Sequence, residues 1–282
     1  MAKLGDLLSI DYENLEYKGL SNAKKQLGVS YLGDINTSSK LVKGLAKNYS
    51  TYGVYLLSSD SSGIQVCSDD KQCKEHCLST SGMAKLELLG GLTKIQNSRM
   101  KKTLTYGYNK EFFTRMLVDE IRVKQLEAEV NLSEFCVRVN CSSDIALTSL
   151  KIGEKNVLEI LPLIKWYDYT KNLAYVKYAK KYPQLHLTFS YSGSNWLRCL
   201  EALKMDVNIA VVFDCGSGHK MPKKFCGIDV IDATENDLRF LDPKGVICGL
   251  CYKTTAKDIK NHKETIPNTR FIVKKDDPRC EW

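Results

Sequence analysis

The sequence predicts an α/β protein built on a parallel sheet, arranged as a full or partial (β/α) barrel. Short apolar runs rich in β-branched residues recur from residue 135 to residue 273, and stretches with helical periodicity separate most of them. Strands that are apolar throughout are typical of a sheet covered on both faces, and alternation with helices is typical of parallel connections. At least six such units are present, which favours a barrel or partial barrel over a small doubly wound sheet.

The chain begins with a stretch that lacks this alternation. Residues 1–65 are expected to form an irregular N-terminal extension with one short strand at 52–57, and residues 66–282 a single barrel-like domain that includes a cysteine loop at 67–77. Apolar residues at helical spacing, among them Phe113 and Leu117, predict an amphipathic helix over 110–130.

The second half of the chain supplies the remaining predicted elements. Helices are expected at 174–182, 195–206 and 256–263, and strands at 135–140, 161–169, 185–193, 208–215, 227–233, 245–250 and 270–273.

Three cysteines, Cys67, Cys73 and Cys77, lie close together in the polar stretch VCSDDKQCKEHCLSTSG. Thiolates are soft, charged ligands, and a polar loop with few apolar residues needs a ligand around which to fold. We interpret the loop as a metal site that holds an iron–sulfur cluster, or zinc with a fourth ligand such as His76 or Cys141. The alternative is three unrelated thiols on a polar loop.

Polar residues follow several predicted strands at their carboxyl ends, where a barrel has its active site. Asp144, Asp168 and Asp232 are the candidate bases or substrate anchors. The residues expected to bind substrate or phosphate are Arg138, Asn140, Ser143, Lys171, Ser192 and Asn195. The alternative is that these strand ends are polar only because they meet solvent.

The charge of the chain allows a polyanionic partner. The formal net charge is +8, and a stretch at 167–182 interleaves lysines with tyrosines. Lysines neutralise phosphates and aromatic rings stack on bases, so this mixture suits nucleic acid or nucleotides. Packing of Tyr175, Tyr178 and Tyr182 on the barrel would explain the same pattern.

The eleven cysteines are irregularly spaced, and the N-terminal residues do not resemble a signal segment. Reduced thiols in a cytoplasmic compartment are therefore expected, and no run is long enough to span a bilayer. Cys248 and Cys251 form a CxxC pair that suits a second metal site, a redox pair or two thiols buried in a strand.

The order of short motifs resembles a family of proteins carried by tailed phages and some plasmids. These motifs run from VCSDDKQCKEHCLSTSGMA through NSRMKKT, FCVRVNCSSDI, YDYTK and HLTFSYSGSN to IDATENDLRFLDPKGVICGL. The family is similar, more distantly, to radical S-adenosylmethionine barrels, although the spacing of the cysteines departs from the three-then-two spacing usual in those enzymes.

The resemblance implies a phage origin, action in the host cytoplasm, a (β/α) barrel with a three-cysteine site, and S-adenosylmethionine as a candidate cofactor. Besides the three cysteines, the matching residues are Arg138, Asn140, Ser143, Asp144, Asp168, Tyr169, Thr170, Lys171, Asp232, Asp237, Arg239 and Asp242.

Three functions are consistent with these patterns. The first is a phage metalloenzyme, with iron–sulfur or zinc, that modifies nucleic acid or nucleotides. The second is a non-enzymatic protein with structural zinc that binds nucleic acid or a host protein. The third is a glycosylase- or transglycosylase-like barrel in which two of the three aspartates face each other across a pocket.

Overall fold

The computed structural model describes residues 9–33, 41–67, 73–74, 93–215, 220–252 and 269–282. Its largest feature is a ten-stranded, mostly parallel sheet. The predicted α/β class is therefore confirmed. The predicted helix at 256–263 lies outside the described residues, as do His76 and Cys77.

The described helices and strands agree closely with the predicted order. The helices are α1 (Leu20–Leu27), α2 (Lys94–Tyr108), α3 (Lys110–Val130), α4 (Val157–Ile160), α5 (Leu173–Ala179) and α6 (Trp196–Leu203). The strands are β1 (Tyr49–Gly53), β2 (Glu134–Arg138), β3 (Lys151–Ile152), β4 (Lys155–Asn156), β5 (Lys165–Thr170), β6 (Leu185–Ser190), β7 (Ile209–Phe213), β8 (Lys224–Phe225), β9 (Ile228–Asp232), β10 (Ile247–Cys251), β11 (Ile272–Val273) and β12 (Cys280–Glu281).

The sheet is open rather than closed into a barrel. Its order is β1-β2-β5-β6-β7-β10-β9-β8-β12, with β11 paired to β7, while β3 and β4 form a separate hairpin. Strands β1, β2, β5, β6, β7 and β10 are parallel and lie side by side in this order, and β9 adds a further parallel strand beyond β10. Within the described ranges no pairing joins β1 to the far edge, where the antiparallel strands β8 and β12 continue the sheet. The closed form of the predicted barrel is therefore wrong.

One face of the parallel strands is packed under the helices. Trp166, Leu187 and Val211 belong to a large core that also contains Phe113 and Met116 of α3. Helix α3 has the predicted bounds and begins after Asn109, whose side-chain oxygen accepts from the Phe112 N–H at 3.0 Å.

The opposite face is contacted by the connection between β9 and β10, which carries the short 3₁₀ helix Arg239–Leu241. Leu238 is buried there with Cys136 and Tyr167, and Phe240 packs against this smaller cluster. The strands therefore present an apolar face to the helices and a more polar face to this connection.

Strand β1, within residues 41–67, is the first strand of the main sheet. Strand β1 pairs with β2 from Tyr49↔Glu134 to Gly53↔Arg138. Helix α1 adds Ala23 and Leu27 to the main core. The polar run YSTYG of β1 lacks the apolar signal expected of a buried strand, so the sequence predicts the short strand a few residues later, at 52–57. None of the described helices is long and apolar enough to cross a membrane.

Candidate functional site

The loops that follow β1, β2 and β5 meet at the carboxyl edge of the sheet. The Val54 carbonyl accepts from the Cys141 N–H at 3.2 Å, and the Ser142 hydroxyl donates to the Leu56 carbonyl at 2.6 Å. Parallel strands place their carboxyl ends on one edge, where open α/β sheets bind ligands. The candidate site is built on these loops.

Asn140 and Asp168 form the centre of this arrangement. The Asn140 backbone N–H donates to one Asp168 oxygen at 2.8 Å, and the Asn140 side-chain amide donates to the other at 3.2 Å. The Asn140 side-chain oxygen accepts from the Ser143 hydroxyl and the Ile145 N–H, both at 2.9 Å. The buried aspartate thus holds the loop after β2 against β5.

Asp144 connects this loop to its two neighbours. Its carboxylate accepts from the Lys171 N–H after β5 at 2.9 Å, and its own N–H donates to the Val66 carbonyl at 2.8 Å. Five of the predicted site residues are therefore together at one place: Asn140, Ser143, Asp144, Asp168 and Lys171.

The Val66 contact brings the first cysteine of the predicted metal loop to the same edge. Cys67 follows Val66 directly, and its Sγ accepts from the Ser59 N–H at 3.3 Å. Lys74, next to Cys73, pairs with Asp60 at 2.6 Å. Both cysteines therefore lie beside the loop that follows β1.

The three-cysteine site remains a prediction because Cys77 lies outside the described residues. Within the part of the chain that the structure describes, no group of three or more His, Cys, Asp or Glu side chains could hold a metal ion. Cys141, considered above as a fourth ligand, is buried, and its thiol donates to the Arg138 carbonyl at 3.5 Å. Burial raises the pKa of the Cys141 thiol to about 11, which favours its neutral form.

The buried environment of Asp168 stabilises the protonated form of its carboxyl group. Burial raises the pKa of Asp168 from 3.8 to about 7, while Arg138 and the Asn140 N–H act in the opposite direction. A carboxyl group with this pKa can accept or donate a proton near neutral pH. In the structure both of its oxygens accept from Asn140, so its direct contacts serve the loop.

Arg138 does not join this group. It lies on the opposite face of the sheet, where its guanidinium is 2.5 Å from an Asp237 carboxylate oxygen and stacks over the Tyr169 ring at 4.5 Å. The hydroxyls of Tyr167 and Tyr169 also donate to Asp237, at 3.4 and 3.2 Å. A buried carboxylate already pairs with Arg138 in this structure, and phosphate binding by Arg138 stays a prediction.

A second ion pair lies beside the first. Arg239 Nη1 lies 3.0 Å from Asp242, outside hydrogen-bond geometry, and the Cys248 thiol donates to the same carboxylate at 3.4 Å. Burial, together with the positive charges of Arg239 and Lys244, lowers the pKa of His186 to about 4. Five atoms of this buried cluster have no hydrogen-bond partner among the described residues: Arg138 Nε, His186 Nε2, Thr188 Oγ1, Arg239 Nε and Arg239 Nη1.

Asp232 is also separate from the other two aspartates. It is exposed at the end of β9, four strands from β5, and its carboxylate accepts from the N–H and hydroxyl of Thr234 at 2.8 and 2.6 Å. This is a local turn of the kind that aspartate favours. The three aspartates therefore do not converge on one pocket.

Ser192 and Asn195 shape the loop after β6. The Asn195 side-chain oxygen accepts from the Ser192 N–H at 2.7 Å, and its amide donates to the Ser190 carbonyl at 2.9 Å. Both residues are buried, so their direct role here is to fix the loop. Tyr191 and Gly193 of the same loop line a surface cleft together with Arg270 and Lys274.

The tyrosines of the lysine-rich stretch at 167–182 are predicted either to stack on bases or to pack within the fold. Tyr175 and Tyr182 are buried, and their hydroxyls bond to the Leu147 N–H and to the Asn156 side chain. Tyr178 is 52% exposed, with Lys181 over its ring at 4.2 Å. Packing therefore explains two of the three.

The CxxC pair is split by the fold. Cys251 forms a disulfide with Cys215 at the end of the neighbouring strand β7, whereas Cys248 is buried beside Asp242. The interpretation of Cys248 as a buried thiol agrees with this geometry. The expectation that the thiols are reduced does not hold for Cys215 and Cys251 in this structure.

Sequence reasoning missed a basic cleft at the carboxyl ends of β6 and β11. It has a volume of about 620 Å³, and its walls include Tyr191, Gly193, Arg270, Lys274 and Arg279. The available signal was the density of basic residues in TRFIVKKDDPRC near the end of the chain. Along the sequence these residues lie far from every predicted site residue. The fold brings them to the loop after β6.

Fold and site together define an α/β protein with an open, mostly parallel sheet and a polar carboxyl edge. The chain belongs to the gene product 88 family, a phage protein family whose model matches residues 20–273. No curated protein and no solved structure matches the chain significantly.

Proposed function

We propose that this chain is a metal-dependent enzyme of the phage that acts on nucleic acid or nucleotides in the host cell, with Cys67, Cys73 and Cys77 as the metal ligands. The observation that carries the proposal is the hydrogen bond from the Asp144 N–H to the Val66 carbonyl. It joins the start of the cysteine loop to the loop that Asp168 holds against β5.

The donor set suits a thiolate-bound metal. Three cysteines within one loop match the ligand type of iron–sulfur clusters and of zinc sites, and the Ser59 N–H already donates to Cys67 Sγ. A bound metal centre with three protein ligands would supply an open coordination position for a substrate or for S-adenosylmethionine.

Asp168 is the residue of this chain best suited to proton transfer at the edge. Its pKa, which burial raises to about 7, allows both protonation states at neutral pH. Reaching a substrate would require it to give up a hydrogen bond from Asn140. Asp144 and Lys171 would then position the surrounding loops.

A nucleic-acid or nucleotide substrate is supported by charge. The formal net charge is +8, and the basic cleft at Arg270 and Lys274 opens at the same edge of the sheet. Basic clefts at the carboxyl ends of parallel strands are suited to phosphate groups.

The test is to express the protein in a bacterial host and to compare the nucleosides of total DNA and RNA by mass spectrometry. A nucleoside that appears with the wild type and with Cys280→Ala, but not with Cys73→Ala, supports the proposal. Cys280 is the matched control because it is a half-buried cysteine of β12, which lies at the opposite end of the sheet from β1. Identical nucleoside profiles in all strains overturn it.

A second candidate function is a non-enzymatic protein with structural zinc that binds nucleic acid or a host protein. It is favoured by the hydrogen bonds of Asp168 and Asp144, since both carboxylates accept from backbone N–H groups. A colourless protein that contains zinc and binds nucleic acid without changing it would select this candidate.

A further inference from the structure

We propose that the cleft lined by Tyr191, Gly193, Arg270, Lys274 and Arg279 is a binding site for the phosphate group of a nucleotide or of single-stranded nucleic acid. This inference rests on the substrate class of the proposed function and not on its metal centre. The cleft has a volume of about 620 Å³. That volume lies within the range of small-molecule sites, roughly 300–1,000 Å³.

The position of the cleft follows from the topology of the sheet. Strand β11 pairs with the end of β7, and the Asp214 N–H donates to the Val273 carbonyl at 2.8 Å. The segment that carries Arg270 and Lys274 is thereby fixed beside the loop that follows β6. Both belong to the carboxyl edge, where parallel sheets bind their ligands.

A close backbone contact sets one wall. Gly193 has a φ of +95°, and a Cβ atom built there would lie 2.6 Å from the Arg270 carbonyl carbon. Glycine adopts this conformation without steric cost and allows the two backbones to approach. The loop after β6 and the segment around Arg270 therefore meet at this point.

The charges of the walls favour an anion. Among the described residues that line the cleft, Asp277 is the one acidic side chain, and it accepts from Arg279 Nε at 2.9 Å and from Nη2 at 2.7 Å, which neutralises it. Arg279 is held further by Tyr191, since Nη1 donates to the Tyr191 hydroxyl at 3.4 Å, and by the Phe225 ring at 4.8 Å. With Arg270 and Lys274, the described walls of the cleft carry three basic side chains against one acidic one.

Arginine forms bidentate hydrogen bonds to phosphate. Arg270 is the arginine assigned this role, because Arg279 already pairs with Asp277. Lysine adds a point charge, and the Tyr191 ring and Ile272 supply an apolar wall for the part of a nucleotide that is not phosphate. This combination of a few polar groups with apolar walls is typical of small-molecule sites.

The experiment measures binding at several salt concentrations by fluorescence anisotropy of a labelled single-stranded oligonucleotide, with competition by ATP and by inorganic phosphate. Four proteins are compared: the wild type, Arg270→Ala/Lys274→Ala, the control Lys47→Ala/Lys204→Ala and Cys73→Ala. The control removes two exposed lysines that are not part of the cleft. Because net charge is matched, any difference between the two double variants reports on the cleft itself.

We expect Arg270→Ala/Lys274→Ala to weaken binding by about ten-fold or more and to reduce the salt slope by about two, while the control changes affinity by less than about two-fold. If ATP displaces the oligonucleotide, the site is assigned to nucleotides. If ATP does not displace it, the site is assigned to the backbone of the strand. Equal weakening in both double variants, or no binding by the wild type, overturns the proposal. Unchanged binding by Cys73→Ala separates this site from the metal centre, so either can fail alone.

Discussion

The guanidinium of Arg138 in β2 lies 2.5 Å from the carboxylate of Asp237, which follows β9, and both side chains are at least nine-tenths buried. The pair joins strands that are distant in the sheet, because Asp237 belongs to the connection that crosses the polar face. Burial favours the neutral form of Arg138, yet the facing Asp237 holds the pKa of Arg138 above its ordinary value. The connection between β9 and β10 is therefore attached to the sheet by a buried charge pair.

Replacing Asp237 by asparagine is expected to destabilise the protein by about 3–5 kcal/mol, because it leaves the Arg138 charge buried and unpaired. The free energy of unfolding is measured by chemical denaturation. Asp229→Asn is the control, since its carboxylate lies 3.7 Å from Lys224 on the surface and its loss should cost less than about 1 kcal/mol. Equal costs for the two variants would show that the Arg138–Asp237 pair does not hold the connection.

Removing both charges should be less harmful than removing one. Arg138→Met/Asp237→Leu is expected to recover part of the stability lost in Asp237→Asn, since no buried charge is then left alone. The hydroxyls of Tyr167 and Tyr169 lose their acceptor in this variant, so recovery should be incomplete. A double variant less stable than Asp237→Asn would contradict this explanation.

Asp168 should make stability depend on pH in a direction opposite to that of a salt-bridged carboxylate. Its pKa is raised in the folded protein to about 7 from 3.8, so the folded state binds the proton more tightly. Its contribution is present below pH 4 and is lost as the pH rises toward 7, by up to about 1.4 kcal/mol per pH unit.

The measurement is the difference in the free energy of unfolding between the wild type and Asp168→Asn from pH 4 to pH 8. The wild type should lose stability relative to the variant between pH 4 and pH 7, with little change above. Thr170→Ser, a non-titrating change in the same strand, should show no such trend. A difference that is constant, or that rises with pH, would refute the role of burial at Asp168.

Gly193 should tolerate a side chain less well than a glycine with nearly the same φ angle. Gly19 has a φ of +100° with no atom within 4 Å of a built Cβ, so Gly19→Ala isolates the backbone cost, about 1–2 kcal/mol. Gly193→Ala adds the clash with the Arg270 backbone and should cost about 1–3 kcal/mol more. It should also weaken phosphate binding in the basic cleft. Equal costs for the two variants would mean that the contact with Arg270 does not form.

The sequence predicted the parallel strands and helix α3 because their apolar residues follow regular spacings. It did not predict β1 at its observed position, since YSTYG has no apolar run and is a strand only through its pairing with β2. It also left a closed barrel open beside a partial one, because the number of strand–helix units does not reveal that the antiparallel strands β8 and β12 continue the far edge.

The candidate site was predicted only in part for a similar reason. Asn140, Asp144 and Asp168 come together because strands β2 and β5 are neighbours, which their order along the chain indicated. The direction of the Arg138 side chain depends on its partner Asp237, almost a hundred residues away, and the position of Asp232 depends on the sheet order beyond β10. Neither can be derived from local spacing.

The central claim is that the cysteine loop holds a metal, and anaerobic purification followed by metal and sulfide analysis and a visible absorption spectrum tests it most directly. The wild type and Cys280→Ala should contain one metal centre per chain, and Cys73→Ala should lose it. A brown protein with iron and sulfide identifies a cluster, and a colourless one with about one zinc per chain identifies a structural site. Wild-type protein without metal, or metal retained in Cys73→Ala, would contradict the account.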